Sequence, residues 1–494
     1  MAKDIILTTI NAKWIHPSLA LRLLKANLGA LESRCEIIEF ALRQPLAEKI
    51  ESLLAVLALS PGRPQILGIS VSIWNHLAAL ELLAELEKAW AAISDAAVRP
   101  IVVLGGPEVS YLPPEAKIFR HADYVIRGDG ETAFRELCEK ILTDGSQSVH
   151  GAKAPEFTEA GNAGVTRIKS AYHLYTDEDI SKKLIYVEAS RGCPFNCEFC
   201  LSAATSVATS AATSAADGQG RVCEFPLEPF LAEMDDLVRR GAGTFKFLDR
   251  TFNLNIKRAV TVMEFFLKKI EERGFEADSK PIVVHFEMVP SLFPRELCET
   301  LTRFPPGTLR LEIGIQTLNA EVSARIARPS NPEKDLEAVR FLREKTHAII
   351  HADLIAGLPG EDLASFGEGF DRLWFALGGD SPGKEVHAEI QPGILKLLPG
   401  APIARHNETS GMRYNSLPPY EVLETSAMTA AELHRVKNFA RFWEIIVNRK
   451  LVSFECKKPV FKNFMALSDS LLAHFGKNWG IDKYDLLKTI HKFI

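Results

Sequence analysis

Several things are scarce in this chain of 494 residues, and each scarcity excludes something. No apolar run approaches the roughly 18 residues needed to cross a bilayer, so no membrane partner is expected. The first residues, Met1-Ala-Lys-Asp-Ile-Ile-Leu, lack the charged start, apolar stretch and small-residue cleavage site of a secretory signal. They run directly into a strand-like segment, and a cytoplasmic location is expected. Positive charge is not in excess: 58 Lys and Arg against 63 Asp and Glu give a formal net charge of −5. No bulk basic field draws the chain to nucleic acid, and no such partner is expected. Eight cysteines over this length form no disulfide framework. What is present is an apolar content of 47% with 24% charged residues, the balance of a globular protein. At about 100 to 200 residues per domain, the chain has room for two to four.

Three of the cysteines stand together in Ser190-Arg-Gly-Cys193-Pro-Phe-Asn-Cys197-Glu-Phe-Cys200, just after the strand-like Leu184-Ile-Tyr-Val-Glu188. Thiolates select iron–sulfur clusters or zinc. A four-iron cluster takes four cysteines when its shell is complete, so Cys193, Cys197 and Cys200 would leave one iron without a protein ligand. A zinc site with Cys223 as fourth ligand is the alternative that spacing alone leaves open. The scattered Cys35, Cys138 and Cys298 are expected in the core.

Ahead of the motif, apolar strand-length runs alternate with helical patterns. Residues 4–10, Ile66–Ser72, Ile101–Gly106 and Ala122–Arg127 read as strands, and Leu19–Leu31, Leu77–Trp90 and Thr132–Leu142 as helices. Such alternation implies a doubly wound parallel sheet, whose ligands lie beyond the carboxyl ends of its strands. Those ends are small and polar: Ser70, Ser72, Gly105, Gly106, Pro107 and Gly128. Glycine there lets backbone approach a flat or phosphate-bearing ligand closely. Residues 146–180 have little periodicity and are expected to form a linker. The run between Leu201 and Gly220, built from repeated Ala-Thr-Ser steps, has no core face.

From the cysteines onward strands and helices alternate again, with strands at Thr244–Asp249, Ile282–Met288, Leu309–Ile315, Ala348–Ala356 and Val386–Gln391. Counting the strand before the motif gives six units. Side chains alternate faces along a strand, so His285 shares a face with Glu287, and Arg310 with Glu312, Gly314 and Gln316. His351 likewise goes with Asp353, and His387 with Glu389 and Gln391. A closed barrel fills its interior with branched apolar side chains, and unpartnered buried polar groups are costly. This barrel should therefore be open and hold a polar ligand, with His285, Glu287, His387 and Glu389 as candidate catalytic groups that handle substrate or protons. Residues 403–494 read as helical, with Phe439, Phe442, Trp443, Ile446 and Val447 spaced for one buried face.

A strand ending in Gly105-Gly-Pro107, a later Gly128-x-Gly-Glu131, then CxxxCxxC before a six-unit barrel resembles the cobalamin-dependent radical S-adenosylmethionine (SAM) proteins. The resemblance implies an N-terminal cobalamin-binding-like α/β domain (1–145), the linker (146–180), a six-unit partial TIM barrel forming the radical SAM core (181–402) and a C-terminal helical domain (403–494). It implies three cofactors: a 4Fe-4S cluster on Cys193, Cys197 and Cys200, SAM on the open iron, and cobalamin at the N-terminal strand ends. Carried over residue by residue, it places Phe199 near the adenine and Asp249, in Phe247-Leu-Asp-Arg-Thr-Phe252, at the SAM ammonium. Arg250 stands where related proteins often show a second acid. It further places Glu312 and Gln316 at the ribose and methionine, Arg328 at the methionine carboxylate, where a bidentate Arg fits, and Gly357, in Leu354-Ile-Ala-Gly-Leu-Pro-Gly-Glu361, beside the adenine. The Asp-x-His-x-x-Gly motif of many cobalamin domains is absent; His16, in the first strand-to-helix loop, lacks its flanking residues. The activity implied is reductive cleavage of SAM to a 5'-deoxyadenosyl radical, with methylation of an unactivated carbon in a small-molecule or peptide substrate. A low-potential electron donor such as ferredoxin or flavodoxin would serve it. Ring closure or rearrangement without methyl transfer, and a non-catalytic iron–sulfur or zinc scaffold, are the alternatives.

Overall fold

The computed structural model describes residues 3–57, 64–93, 99–144, 154–160, 168–202, 222–274, 280–328, 330–379, 388–451 and 459–493. The chain divides into two compact units, one of Met1–Arg191 with Cys223–Lys246 and the other of Gly192–Val222 with Phe247–Ile494.

The first unit is built on a parallel sheet of six strands: β1 (Ile5–Asn11), β2 (Cys35–Ala41), β3 (Ile66–Ser70), β4 (Ile101–Gly105), β5 (Tyr124–Arg127) and β6 (Glu156–Glu159). Their order is β2-β1-β3-β4-β5-β6. Strand alternation assigns the apolar side chains to two cores. Ile6, Ile10, Leu67, Ile69, Val102 and Leu104 pack with Leu53 of helix Leu46–Val56 and Leu82, Leu83 and Leu86 of helix His76–Ile93. Ile5, Leu7, Ile66 and Val103 pack with Leu21 of helix Leu19–Ala26 and with Phe134, Leu137 and Ile141 of helix Gly130–Asp144. Each fully buried side chain of this size contributes about 1.5–3 kcal/mol. Gly68 is required by that packing, because a Cβ there would meet the Leu7 side chain at 2.7 Å.

β6 lies inside the stretch read from composition as a linker. Its four residues, Glu-Phe-Thr-Glu, pair parallel to β5 from Tyr124↔Glu156 to Arg127↔Glu159. An edge strand this short, with charged ends, shows no hydrophobic run to a sequence reading. Helix Asp177–Lys182 in the same stretch begins on a capping box between Thr176 and Asp179.

The second parallel sheet also has six strands, β7 (Ile185–Val187), β10 (Thr244–Phe247), β11 (Val283–Met288), β12 (Leu309–Gln316), β13 (Ile349–Ala356) and β14 (Ala388–Ile394). Their order, β14-β13-β12-β11-β10-β7, is the sequential order of a barrel that stops at six units. The short strands β8 (Ser190–Gly192) and β9 (Val222–Glu224) pair separately. Burial alternates along the barrel strands: in β11 Val284, Phe286 and Met288 are buried while Val283, His285 and Glu287 are half-buried. The buried face meets helix Ile256–Arg273, whose Ala259, Val262, Met263, Phe266, Leu267 and Ile270 recur every three or four residues. Phe247 contacts Phe266 edge-on at 5.9 Å and Phe286 at 4.7 Å.

The C-terminal region is mainly helical, but it contains a short antiparallel pair, Arg413–Tyr414 with Val422–Glu424, that the reading of residues 403–494 did not include. Helix Ala430–Trp443 starts on a capping box between Thr429 and Glu432 and buries Phe439, Phe442 and Trp443. Phe439 and Trp443 pack against Phe370 and Phe464, so the aromatic stripe is core. Residues 203–221 of the low-complexity run lie outside the described residues, as does His387.

Candidate active site

The cysteine loop begins where β8 ends. Gly192 has φ +100°, a left-handed conformation that turns the chain toward Cys193. The Cys200 N–H donates to the Cys197 carbonyl at 3.0 Å, which brings the second and third cysteines onto one turn. Cys193 Sγ lies 3.6 Å from the hydroxyl of buried Thr251. Arg328 sends one guanidinium nitrogen toward Cys197 Sγ at 3.9 Å and another to the Gly314 carbonyl. All three cysteines are free thiols. Burial pushes the Cys197 thiol up, against the pull of Arg328.

This donor set fits a four-iron cluster. Coordination by iron deprotonates a thiol outright, and a cation beside Cys197 favours the thiolate. Among the described residues no three His, Cys, Asp or Glu side chains are gathered tightly enough to hold one metal ion. The Arg328 Nε is buried without a hydrogen-bond partner, so this cation keeps donor capacity beyond its contacts with Cys197 and Gly314.

The half-buried face of the barrel sheet gathers the polar residues that strand alternation assigned to it. Pairing sets Glu287 opposite Glu312, Glu312 opposite His351 and His351 opposite Glu389, one level row across β11 to β14. His285 Nε2 lies 3.1 Å from Glu312 Oε1, and the His285 ring stacks on His351 at 5.7 Å. His351 Nδ1 lies 3.0 Å from Glu389 Oε2 and 3.2 Å from Gln391 Nε2. Of the four candidate catalytic groups, His285, Glu287 and Glu389 therefore sit in this row or beside it.

The remaining barrel candidates lie at strand ends. Asp249 is buried just past β10, while Arg250 beside it is exposed and approaches Glu287 at 4.0 Å. Glu312 and Gln316 both belong to β12, which carries a bulge between Gly314 and Gln316. Gln316 has φ +70° there, a conformation that costs a non-glycine residue free energy and re-aims its side chain. Gly357 follows β13, and Phe199 is half-buried beside Cys200. Two groups escaped the sequence reading. Thr251 was hidden because a lone Thr carries no signal. Glu361, buried and accepting from the Thr317 hydroxyl at 2.6 Å, has its carboxyl pushed up to about 7 by burial.

In the first unit, the direction of strand order reverses between β1 and β3, the switch point where open α/β sheets leave a crevice. The loops there carry Trp14 and Trp74, exposed by 50% and 54%, a second pair the sequence reading missed. The Lys183 ammonium sits over the Trp14 ring at 4.9 Å, so Trp74 is the ring that offers an apolar face to a flat macrocycle. Buried Asn75 fixes the β3 loop: its side chain accepts from the Ser72 N–H at 2.8 Å and donates to the Ile10 carbonyl at 3.0 Å. Ser70 is half-buried and its carbonyl accepts from Thr9 Oγ1 at 2.9 Å. Gly105 accepts from the Val71 N–H at 2.8 Å, and Gly106 passes so close that a Cβ would meet the Val71 oxygen at 2.6 Å. Pro107 and Gly128 are exposed at the ends of β4 and β5. The next residue, Glu108, meets His76 at 2.7 Å and joins the two loops. His16 Nδ1 is 2.8 Å from the Tyr186 hydroxyl, and burial lowers its pKa.

Comparison with known proteins converges on this arrangement. The family model described as the B12 binding domain matches residues 5–138, and that of the radical SAM superfamily matches residues 187–373. The chain carries a B12 binding domain followed by a radical SAM domain. Such a protein uses SAM and a 4Fe-4S cluster in its second domain and cobalamin in its first. Its sequence is 25% identical over 280 residues to an uncharacterized methyltransferase of Pyrococcus horikoshii, covering 53% of this chain and 54% of that one. It is 22% identical to the cobalamin-dependent radical SAM methyltransferase TokK of Streptomyces tokunonensis, covering 69% of this chain and 48% of that one. The chain thus spans about half the length of these curated relatives. The fold matches the radical SAM methyltransferase TsrM of Kitasatospora setae, solved with tryptophan and a SAM analogue, at a TM-score of 0.57 and 18% identity. That match covers 85% of this chain and 80% of TsrM. Among the described residues no helix is long and apolar enough to cross a membrane.

Proposed function

We propose that this chain, with its B12 binding and radical SAM domains, is a methyltransferase that acts on an unactivated carbon of a small-molecule or peptide substrate. The observation that carries the reading is the presence on one chain of a cysteine triad one ligand short of a cube and a switch-point crevice flanked by exposed aromatics. The chemistry supplied when the cofactors are bound is one-electron cleavage of SAM to methionine and a 5'-deoxyadenosyl radical, and carriage of a methyl group to the carbon that loses hydrogen.

The chain's own residues bind and orient. Cys193, Cys197 and Cys200 hold the cluster. Arg328, already beside Cys197, pairs with the methionine carboxylate, and buried Asp249 takes the ammonium. Glu312 and Gln316 contact the ribose and methionine, with Phe199 and the Gly357 segment flanking the adenine. Ser70, Ser72, Gly105, Gly106, Pro107 and Gly128 line the cobalamin crevice. The Asp-x-His-x-x-Gly motif is absent from the sequence, and His16 in the first strand-to-helix loop is engaged by the Tyr186 hydroxyl at 2.8 Å. His285, Glu287, His387 and Glu389 position the substrate and hold or move its protons. A ferredoxin or flavodoxin of low potential serves as electron donor, and the location is cytoplasmic.

The test is anaerobic reconstitution with iron, sulfide and hydroxocobalamin, followed by incubation with reductant, SAM carrying a trideuterated methyl group, and a metabolite extract. Support is corrinoid retained through gel filtration, reductant-dependent 5'-deoxyadenosine, and an extract component heavier by one labelled methyl group. Deoxyadenosine with a product lacking the label would establish ring closure or rearrangement instead. Failure to retain corrinoid would remove the cobalamin half of the proposal.

A further inference from the structure

The loop bearing the three cysteines is tied to a segment some two hundred residues further on. Glu198, between Cys197 and Phe199, is buried. Its Oε2 lies 2.8 Å from His406 Nε2, and its Oε1 accepts from Arg405 Nη2 at 2.7 Å and Nε at 2.9 Å. The backbone repeats the tie. Glu198 N–H donates to the Ile326 carbonyl at 3.0 Å, and Ile403 N–H donates to the Glu198 carbonyl at 3.0 Å. Arg405 also donates to the Arg325 carbonyl at 3.2 Å, and Arg325 in turn to the Pro359 carbonyl at 2.8 Å.

A carboxylate removed from water is retained only when it is paired and hydrogen-bonded. Glu198 meets both conditions with two side chains from the short helical turn Pro402–His406, which follows β14. Packing alone does not call for an acid here, since an apolar side chain fills a buried position without needing partners. What the acid adds is direction: a two-oxygen fork engaged on both prongs leaves the turn from Cys197 to Cys200 little freedom to rotate. That freedom matters at this site more than at a complete four-cysteine shell. A cube held by three thiolates has one fewer anchor, and its open iron must be aimed at SAM.

We infer that Glu198, salt-bridged to Arg405 and His406, is a positioning residue that clamps the Cys197–Cys200 turn, so that the segment after the sixth barrel strand sets how firmly the iron–sulfur cluster is held. The inference rests on the reading of the triad as a radical SAM cluster site. Partners outside the ligand set change metal affinity by about 10- to 100-fold when removed.

The experiment uses the full chain, reconstituted anaerobically, as wild type, Glu198→Ala, Glu198→Gln and Arg405→Met. Two readouts are followed: the rate of iron release to a ferrous chelator, and the electron paramagnetic resonance spectrum of the reduced cluster with and without SAM. Glu198→Ala is expected to release iron about tenfold faster and to blunt the spectral change that SAM produces. Glu198→Gln, which keeps an oxygen for Arg405, is expected to recover part of both. Arg405→Met, on the solvent side of the clamp, moves both the same way by less and serves if Glu198→Ala does not fold. Wild-type release rates and an undiminished SAM response in both Glu198→Ala and Arg405→Met would overturn the clamp. A wild-type chain that assembles no cluster would overturn instead the reading beneath it, and the clamp with it.

Discussion

At the scale of single residues, the cysteine site makes the sharpest demands. Replacing any one of Cys193, Cys197 and Cys200 by Ala is expected to reduce bound iron from about four per chain to a small remainder, read by iron assay and by loss of the broad visible absorption. Thr251 offers a subtler change. Its hydroxyl lies 3.6 Å from Cys193 Sγ, and hydrogen bonds to cluster sulfurs help set reduction potential. Thr251→Val is expected to lower the cluster's midpoint by roughly tens of millivolts, on a scale where ~59 mV is tenfold for one electron. A redox titration followed by paramagnetic resonance checks this, and an unmoved midpoint contradicts it. Glu361 supplies a pH dependence. Its carboxyl sits at about 7, above its ordinary 4.5, because burial disfavours the charge. The folded state therefore binds more protons than the unfolded one between those values, and stability is lost as pH rises through 7. The loss is at most about 3 kcal/mol. Chemical denaturation at pH 5 and pH 8 should show a smaller difference for Glu361→Gln than for the wild type; equal slopes would count against this assignment.

At the scale of elements, the strand ends and faces did most to define the site, and these were the features legible in sequence. Alternation along Val283–Met288 foretold that His285 and Glu287 share a face, and the structure has Phe286 buried between them on the other. What sequence could not show was pairing between distant elements. Glu198 reads as a charged residue in a motif until Arg405 and His406 arrive beside it. Asn75 reads as a turn residue until Ile10 and Ser72 engage it. Trp14 and Trp74 become a feature only because β1 and β3 are neighbours at the switch point. β6 was too short to register. The β4 loop gives the element-scale prediction. Gly106 has φ +104° and no room for a Cβ against the Val71 backbone, so Gly106→Ala must displace that loop or the one it touches. A cost of about 1–3 kcal/mol is expected, together with weaker retention of hydroxocobalamin, measured by denaturation and by spectral titration of the same variant.

At the scale of the whole molecule, the chain combines a B12-binding domain with a radical SAM domain. A three-cysteine cluster site makes chemical sense only with a ligand for its open iron. The first domain, matched by the B12 binding model, has a switch point between β1 and β3 with Trp14 and Trp74 in the loops that follow those strands. The second sheet keeps its six strands in sequential order, and its β11–β14 face carries the half-buried polar row that strand alternation assigned to it. The most direct test of the central claim is the yield of 5'-deoxyadenosine from SAM and a low-potential reductant, with the full chain reconstituted anaerobically. The wild type is expected to form it, and variants with Cys193, Cys197 or Cys200 replaced by Ala are not. A wild-type chain that holds about four irons yet forms no deoxyadenosine would contradict the account.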